Sequence, residues 1–194
     1  MSLAERLLIA RLKEREEAAF SEVFRLYGDK VFSLIYRMIG SRQEAEDVTQ
    51  EVFISVFKTV DGFRGESKFS TWLLRIAANH CKNRIKYLAR RPSEGVDMDD
   101  TGQLPVPGTT NGPTMQAHID GPDVLMEAAE IEKIMQRAID GLDEEQKLLV
   151  ILRDVDELSY QEIGEITGLP EGTIKSRLHR ARMAIKEELD KHTK

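Results

Sequence analysis

The sequence predicts an all-α protein of two helical domains joined by a flexible linker, with a helix-turn-helix in the C-terminal domain. Apolar residues recur at three- and four-residue steps on both sides of the chain, and no segment sustains the two-residue alternation of a strand. Five of the six prolines and five of the 13 glycines lie in residues 92–122. Such a composition is typical of a linker. We therefore predict domains at 1–91 and 123–194, separated by an acidic linker at 92–122.

The first domain should hold three or four helices. A long apolar stripe ends at Gly40, and Ser41 with Glu44 three residues later has the pattern of a capping box. A third helix should begin at Ser70 or Thr71 and continue to Arg90-Arg91. The stripe comprises Phe20, Phe24, Tyr27, Val31, Leu34, Ile35 and Met38. The helix after Ser41 carries a line of four valines, Val48, Val52, Val56 and Val60.

The second domain should begin with a helix near Pro122-Asp123, which Gly141 interrupts, followed by a helix from Asp143 to about Asp154. The segment 159–188 then has the order of a helix-turn-helix. Ser159 and Glu162 form a capping-box pattern, and Gly168 ends the short helix. Pro170 opens the last helix, whose buried line should be Ile174, Leu178, Ala181 and Ile185.

Charge is segregated along the chain, although the net charge is −6. Residues 64–91 carry eight Lys/Arg and one acid, Glu66, and residues 172–182 carry four Lys/Arg and no acid. Two basic stripes on an acidic chain indicate local contacts with a polyanion. Solvated helix faces would explain the charge equally well.

The composition also excludes several classes of protein. No run approaches the roughly 20 apolar residues of a transmembrane helix. The N-terminus threads charges through its apolar residues, unlike a signal peptide. The single cysteine, Cys81, cannot form an intrachain disulfide, so we expect a cytoplasmic protein.

Two segments carry residue types that suit nucleic acid. From 63 to 84, aromatic residues lie close to basic ones, as stacking on unpaired bases requires, although Phe69 and Trp72 are better explained as core. Asn79 and Asn83 share a helix face, and their amides can donate and accept at base edges. The candidate nucleic-acid contacts in this segment are Phe63, Arg75, Asn79, Lys82, Asn83 and Arg84.

The last helix should expose a second candidate surface, because its apolar line is buried. Its exposed face near the helix start, the part that enters a major groove first, carries Lys175, Ser176, His179 and Arg180. An ordinary helical hairpin with a solvated basic face is the alternative. Asp47, Gln50 and Glu51 form a polar face opposite the valine line, which by itself indicates only a solvated helix surface.

Three stretches in this order, DVTQEVF, GFRGESKFSTWLLRIAANHCKN and LSYQEIGEITGLPEGTIKSRLHRAR, resemble the extracytoplasmic-function class of RNA polymerase sigma factors, the sigma-E-like group. The resemblance covers roughly residues 15–91 and 125–190. It implies that Asp47, Gln50 and Glu51 meet the clamp helices of core polymerase. It also implies that the candidate contacts between 63 and 84 meet the −10 element, with Asn79 at a pocket for a flipped base. It places Lys175, Ser176, His179 and Arg180 at the −35 element.

As partners, the resemblance implies core RNA polymerase, promoter DNA and an anti-sigma factor that hides both polymerase surfaces, in a regulator of stress or envelope responses. It implies no catalytic residue, no metal and no cofactor. Lys175 stands where several relatives carry arginine, and His179 where some carry an aromatic residue. The −35 preference therefore cannot be transferred from the family.

Two other classes of function are weaker. An enzyme would need a reactive constellation, but only His80 adjoins Cys81, and neighbouring side chains on a helix point about 100° apart. An autonomous helix-turn-helix repressor would explain residues 159–188, but neither the basic-aromatic segment nor the polar face of Asp47, Gln50 and Glu51.

Overall fold

The computed structural model describes residues 2–90 and 137–192, and these residues form helices and turns without a strand. The all-α prediction is confirmed for this part of the chain. The predicted linker at 92–122 and the helix start near Pro122-Asp123 lie outside the described residues. The main helices are α1 (Leu3–Lys13), α2 (Glu17–Ile39), α3 (Arg42–Thr59), α4 (Phe69–Arg90), α5 (Glu144–Val150), α6 (Tyr160–Thr167) and α7 (Glu171–His192).

Helices α1 to α4 form the N-terminal bundle. Gly40 ends α2 in the left-handed conformation at φ 81°, as the sequence predicts, and the Ser41 side chain caps α3 by accepting from the backbone N–H of Glu44. The capping box predicted for Ser41 is only half formed, because the Glu44 carboxylate makes an ion pair with Arg84 of α4 instead. The Glu44 carboxylate thus contacts a side chain of a neighbouring helix rather than the backbone N–H of Ser41.

Helix α4 is the most deeply packed element of this bundle. It begins at Phe69, slightly before the predicted Ser70 or Thr71, because the carbonyl of Lys68 already accepts from the Trp72 N–H. A short 3₁₀ turn, Val60–Gly62, and the loop after it separate α3 from α4. The buried residues of α4 are Phe69, Thr71, Trp72, Leu73, Leu74, Ala77, Ala78 and Cys81.

The C-terminal helices follow the predicted order. The Asp143 side chain caps α5 through the Gln146 N–H at 2.8 Å, and α5 continues into one turn of π-helix, Ile151–Val155. The capping box between Ser159 and Glu162 at the start of α6 is complete. Gly168 then ends α6 in the left-handed conformation at φ 75°. These local predictions are confirmed because each depends on residues within one helical turn.

The two groups of helices share one continuous apolar core. Helix α6 packs against α4, and Lys68 Nζ lies 2.8 Å from Glu162 Oε1. Burial raises the pKa of Asp156, opposed by the nearby positive charges of Lys30 and Arg37 on α2. The sequence predicted only a tether between the domains, so this packing is a finding of the tertiary structure. Among the described helices, none combines the length and apolarity that crossing a membrane requires.

Candidate functional site

The polar face of α3 is exposed where the sequence predicts it. Asp47, Gln50 and Glu51 are all exposed, while Val48 and Val52 on the opposite side are fully buried. The side chain of Glu51 remains 52% accessible. The face is thus available to a partner protein, and its role in polymerase binding stays a prediction.

Glu51 has two partners on α4 that the sequence analysis missed. Arg84 Nη2 lies 3.1 Å from Glu51 Oε1, and His80 Nδ1 lies 3.6 Å from Glu51 Oε2. Arg84 Nε also lies 3.2 Å from Glu44 Oε2, and Ser55 Oγ lies 3.0 Å from His80 Nε2. The spacing of His80 and Arg84, four residues apart on one helix, could have suggested a shared face.

The predicted −10 residues on α4 divide between two sides of the helix. Arg75, Asn79 and Asn83 are exposed and follow one another at four-residue steps, which places them on one face, and Lys82 beside them is half-buried. Arg84 points toward α3 and is only 20% exposed in its ion pairs with Glu44 and Glu51. The described geometry therefore shows an exposed stripe of amides and cations that does not include Arg84, and its contact with DNA stays a prediction.

The aromatic residues near the start of α4 form a packed cluster. The Phe63 ring lies 5.4 Å from that of Phe69 and 5.3 Å from that of Trp72. The interpretation of Phe69 and Trp72 as core is confirmed, since they are 1% and 9% exposed. Phe63, predicted as a DNA contact, is 4% exposed, so its ring faces cannot stack on a base in this arrangement.

A cleft of about 510 Å³ opens beside this cluster. Phe63, Arg64, Trp72 and Arg75 line it, and so does Thr71, whose buried hydroxyl finds no hydrogen-bond partner among the described residues. A buried hydroxyl without a partner is costly unless a ligand or water supplies one. The cations, aromatic edges and polar group of the cleft suit a nucleobase on a phosphate backbone, although two carboxylates, Glu66 and Glu165, also line it.

The second group of helices contributes to the same cleft. Glu165 of α6 lies in its lining, and Glu162, one helical turn earlier, pairs with Lys68. Hydrogen bonds from Lys68 and Ser159 lower the pKa of Glu162 to about 2. Two carboxylates of α6 thus lie beside the basic segment that precedes and begins α4.

Helix α7 has the two faces that its sequence predicts. Ile174, Leu178 and Ala181 are at most 1% exposed. The exposed face carries all four candidate −35 residues, Lys175, Ser176, His179 and Arg180. The assignment of buried and exposed sides is confirmed, except that Ile185, the last residue of the predicted buried line, is only half-buried. DNA contact by the exposed side stays a prediction.

The cations of α7 differ in how they are held. Lys175 Nζ lies 2.6 Å from Glu171 Oε1 and above the Tyr160 ring, and the hydrogen bond to Glu171 raises the pKa of Lys175. Two further cations are held by acidic residues of the same domain, since Arg177 pairs with Glu145 and Arg182 with Asp154. In the described part of the chain, Arg180 makes no salt bridge.

Cys81 offers no support for catalysis. The thiol is fully buried, and burial raises its pKa to about 12, so it stays protonated and is a poor nucleophile near neutral pH. Among residues 2–90 and 137–192, no three His, Cys, Asp or Glu side chains converge in a way that could hold a metal ion.

Two family models match the chain. The model "Sigma-70 region 2" matches residues 23–91, and "Sigma-70, region 4" matches residues 132–185. The chain is 38% identical to the ECF RNA polymerase sigma factor SigW of Bacillus subtilis, over 93% of this chain and 94% of the relative. It is 37% identical to the ECF RNA polymerase sigma-E factor of Escherichia coli K12, over 94% and 93%.

Two solved structures share the fold. CnrH, solved with the cytosolic domain of CnrY, has a TM-score of 0.65 at 20% identity, covering 96% of this chain and 97% of that chain. The sigma factor RpoE of Bartonella quintana, solved with the anti-sigma factor NepR, has a TM-score of 0.62 at 22% identity, covering 88% and 96%. The order and extent of the matched regions and the identity to both relatives over most of the chain show the family, and the chain belongs to the ECF class of RNA polymerase sigma factors.

Proposed function

We propose that this sigma factor binds core RNA polymerase through the exposed face of α3, reads the −10 element with α4 and the adjoining cleft, and reads the −35 element with α7. The observation that carries the proposal is that these three helices each expose the polar side chains that the family pattern predicts, with apolar residues buried behind them. The chain acts as an initiation factor and not as an enzyme, as its family does.

The residue roles divide accordingly. Asp47, Gln50 and Glu51 offer acceptors and charge to basic or polar groups of the polymerase. Amides such as Asn79 can discriminate base edges, while cations such as Arg75 hold phosphates. The matched regions at 23–91 and 132–185 support domains at 1–91 and 123–194. The remaining candidates are Lys82 and Asn83 for the −10 element, and Lys175, Ser176, His179 and Arg180 for the −35 element.

Regulation by an anti-sigma factor is part of the proposal. The support is that the Bartonella RpoE, which shares this fold, was solved with the anti-sigma factor NepR, and that CnrH was solved with the cytosolic domain of CnrY. We place the protein in the cytoplasm, where promoter DNA and polymerase are found, and among regulators of stress or envelope responses. Co-purification of the tagged chain from its host would identify the inhibitor directly.

The test of polymerase binding is a triple substitution of Asp47, Gln50 and Glu51 by alanine. We expect a folded protein, shown by an unchanged circular dichroism spectrum, that no longer competes with the wild-type chain for core polymerase. The matched control replaces Glu17, Ser21 and Asp29, which are two acids and one polar residue exposed on α2. Wild-type core affinity in the α3 triple variant would refute the proposed face.

A further inference from the structure

The polar contacts between α3 and α4 divide the exposed and half-buried residues of α4 into two parallel rows. Asn79 and Asn83 form one row and are exposed, whereas His80 and Arg84 form the next and contact α3. Adjacent residues on a helix point about 100° apart, so the two rows face different surroundings. The first row faces solvent, and the second row faces the acidic residues of α3.

The second row lies beside both carboxylate oxygens of Glu51, and Arg84 donates a hydrogen bond to one of them. Arg84 lies 3.1 Å from Oε1, and His80 lies 3.6 Å from Oε2. Ser55 lies 3.0 Å from the other ring nitrogen of His80, so the imidazole itself is held in place. The hydrogen bond from Arg84 therefore restricts the rotamers of Glu51 before any partner arrives.

Arg84 also relieves repulsion within α3. Its Nε lies 3.2 Å from Glu44, so one guanidinium is shared between two carboxylates seven residues apart. Asp47, three residues after Glu44 and four before Glu51, is a further acid on this side of the helix. A shared cation at the side of the helix lets these acids lie close together without an unfavourable like-charge contact.

The contacts with Arg84 and His80 leave Glu51 available to a partner. The Glu51 side chain is 52% exposed, while Arg84 is only 20% exposed. An ionised carboxylate has about four acceptor positions, so Glu51 can keep both contacts with α4 and still accept from outside. Arg84, in contrast, would have to abandon two carboxylates to reach DNA on the Asn79 side.

We propose that Arg84 is a positioning residue for polymerase binding, which holds Glu51 in its docking rotamer with His80 beside it, and that Arg84 is not a −10 contact. Preorganising a side chain removes the ordering cost that binding would otherwise impose on it. The proposal rests on the proposed role of Glu51 in core binding. It assigns Arg84, which the sequence pattern places with DNA, to the polymerase side of the domain.

The test is a double-mutant cycle of Arg84→Gln and Glu51→Gln, read out as affinity of the full chain for core polymerase. We expect Arg84→Gln to weaken core affinity about tenfold, and to have little further effect once Glu51 is replaced. Arg84→Lys should recover part of the loss. A thermal melt of each free variant restricts the comparison to folded protein.

The second readout is transcription from −10 variants at saturating polymerase. Arg84→Gln should keep wild-type discrimination among −10 sequences, while Asn79→Ala, the matched control on the other row, should lose it and keep its core affinity. Loss of −10 discrimination in Arg84→Gln would overturn the proposal. Unchanged or increased core affinity would do so too, as would an equal loss with and without Glu51, which would indicate direct contact with polymerase.

The two proposals fail in different ways. If Glu51→Gln alone leaves core affinity unchanged, the proposed docking face is wrong. If Glu51→Gln weakens core binding and Arg84→Gln does not, only the positioning role is wrong.

Discussion

Helices α4 and α7 are both 22 residues long and both carry a basic candidate DNA surface, but they are supported differently. Helix α4 packs against α2, α3 and α6, whereas α7 packs against α5 and α6. Helix α4 buries eight residues, including Phe69 and Trp72, while the buried line of α7 consists of Ile174, Leu178 and Ala181. The two candidate DNA helices thus differ in packing, because α4 contacts three helices and α7 contacts two.

This difference determines what a substitution can report. On α4, a change on one face is close to three neighbouring elements, so stability, polymerase docking and DNA reading are easily confused. On α7, the exposed face is free of packing, and the only complications are side-chain ion pairs such as Lys175 with Glu171. Experiments on α4 therefore need a stability control that experiments on the exposed face of α7 need less.

The largest expected effect tests the central position of α4. Leu74 is 1% exposed, so Leu74→Ala should destabilise the protein by about 2–5 kcal/mol, through lost apolar burial and a cavity. Met183→Ala on α7 is the control, because Met183 is 44% exposed and its loss should change stability by less than about 0.5 kcal/mol. Urea unfolding measures both. Similar values for the two variants would contradict the comparison.

The next effect concerns base reading by α4. Asn79→Ala should weaken promoter binding by about 1–3 kcal/mol, and only for promoters with the cognate −10 base. Transcription from those promoters should fall accordingly. The reason is that an exposed amide can both donate to and accept from a base edge. Transcription from a panel of single-base −10 variants measures it, with exposed Lys58→Ala as the control. An equal loss on every −10 variant would mark Asn79 as structural.

On α7, Arg180 and Lys175 should act differently. Arg180 makes no salt bridge within the described residues, so its planar fork is free for a guanine or phosphate. Lys175 must leave Glu171 to reach DNA. If Arg180 reads a base, Arg180→Ala should abolish discrimination at one −35 position. If Lys175 holds phosphate, Lys175→Ala should weaken all sequences alike and reduce the salt slope by about one contact.

Holoenzyme affinity across single-base −35 variants at two salt concentrations distinguishes these outcomes. Ala184→Ser, an exposed change further along α7, serves as the control. Unchanged discrimination and unchanged salt slopes in both variants would show that this face does not contact DNA.

A smaller effect concerns the acid at the start of α6. The pKa of Glu162 is lowered to about 2, first by Lys68 and then by Ser159, so its charged form is favoured in the folded protein. The resulting stability is present above the unfolded pKa of about 4.3, and it is lost as the pH falls from there toward 2. Glu162→Gln, which can keep the capping geometry, should unfold with a shallower pH dependence in this window. An identical pH profile would contradict the assignment.

The capping hydroxyl of Ser159 should have a similar or smaller effect. Ser159→Ala removes the acceptor for the Glu162 N–H and should cost about 1 kcal/mol of stability, measured by thermal unfolding. Ser21→Ala, at an exposed position within α2, is the matched control and should be nearly neutral. A neutral Ser159→Ala would show that packing of α6 on α4 alone fixes the start of the helix.

The sequence by itself determined the local architecture of the described residues. The caps at Ser159 and Gly168, the turn at Gly40 and the exposed side of α7 all depend on residues within a turn or two of one another. Backbone hydrogen bonding and helical periodicity act over that range, so the pattern of residue types is enough to predict them. The family resemblance added the functional meaning of the exposed faces.

Only the tertiary structure decided which residues lie against each other across the chain. Glu44 pairs with Arg84 instead of completing its capping box. Arg84 in turn contacts Glu51, 33 residues away in the sequence, and lies on a different face of α4 from Asn79. Lys68 meets Glu162, 94 residues away, and α6 comes to lie on α4. No spacing rule encodes such pairs, because they follow from how whole helices bury their apolar faces, and the charged side chains then take the partners that this packing brings within reach.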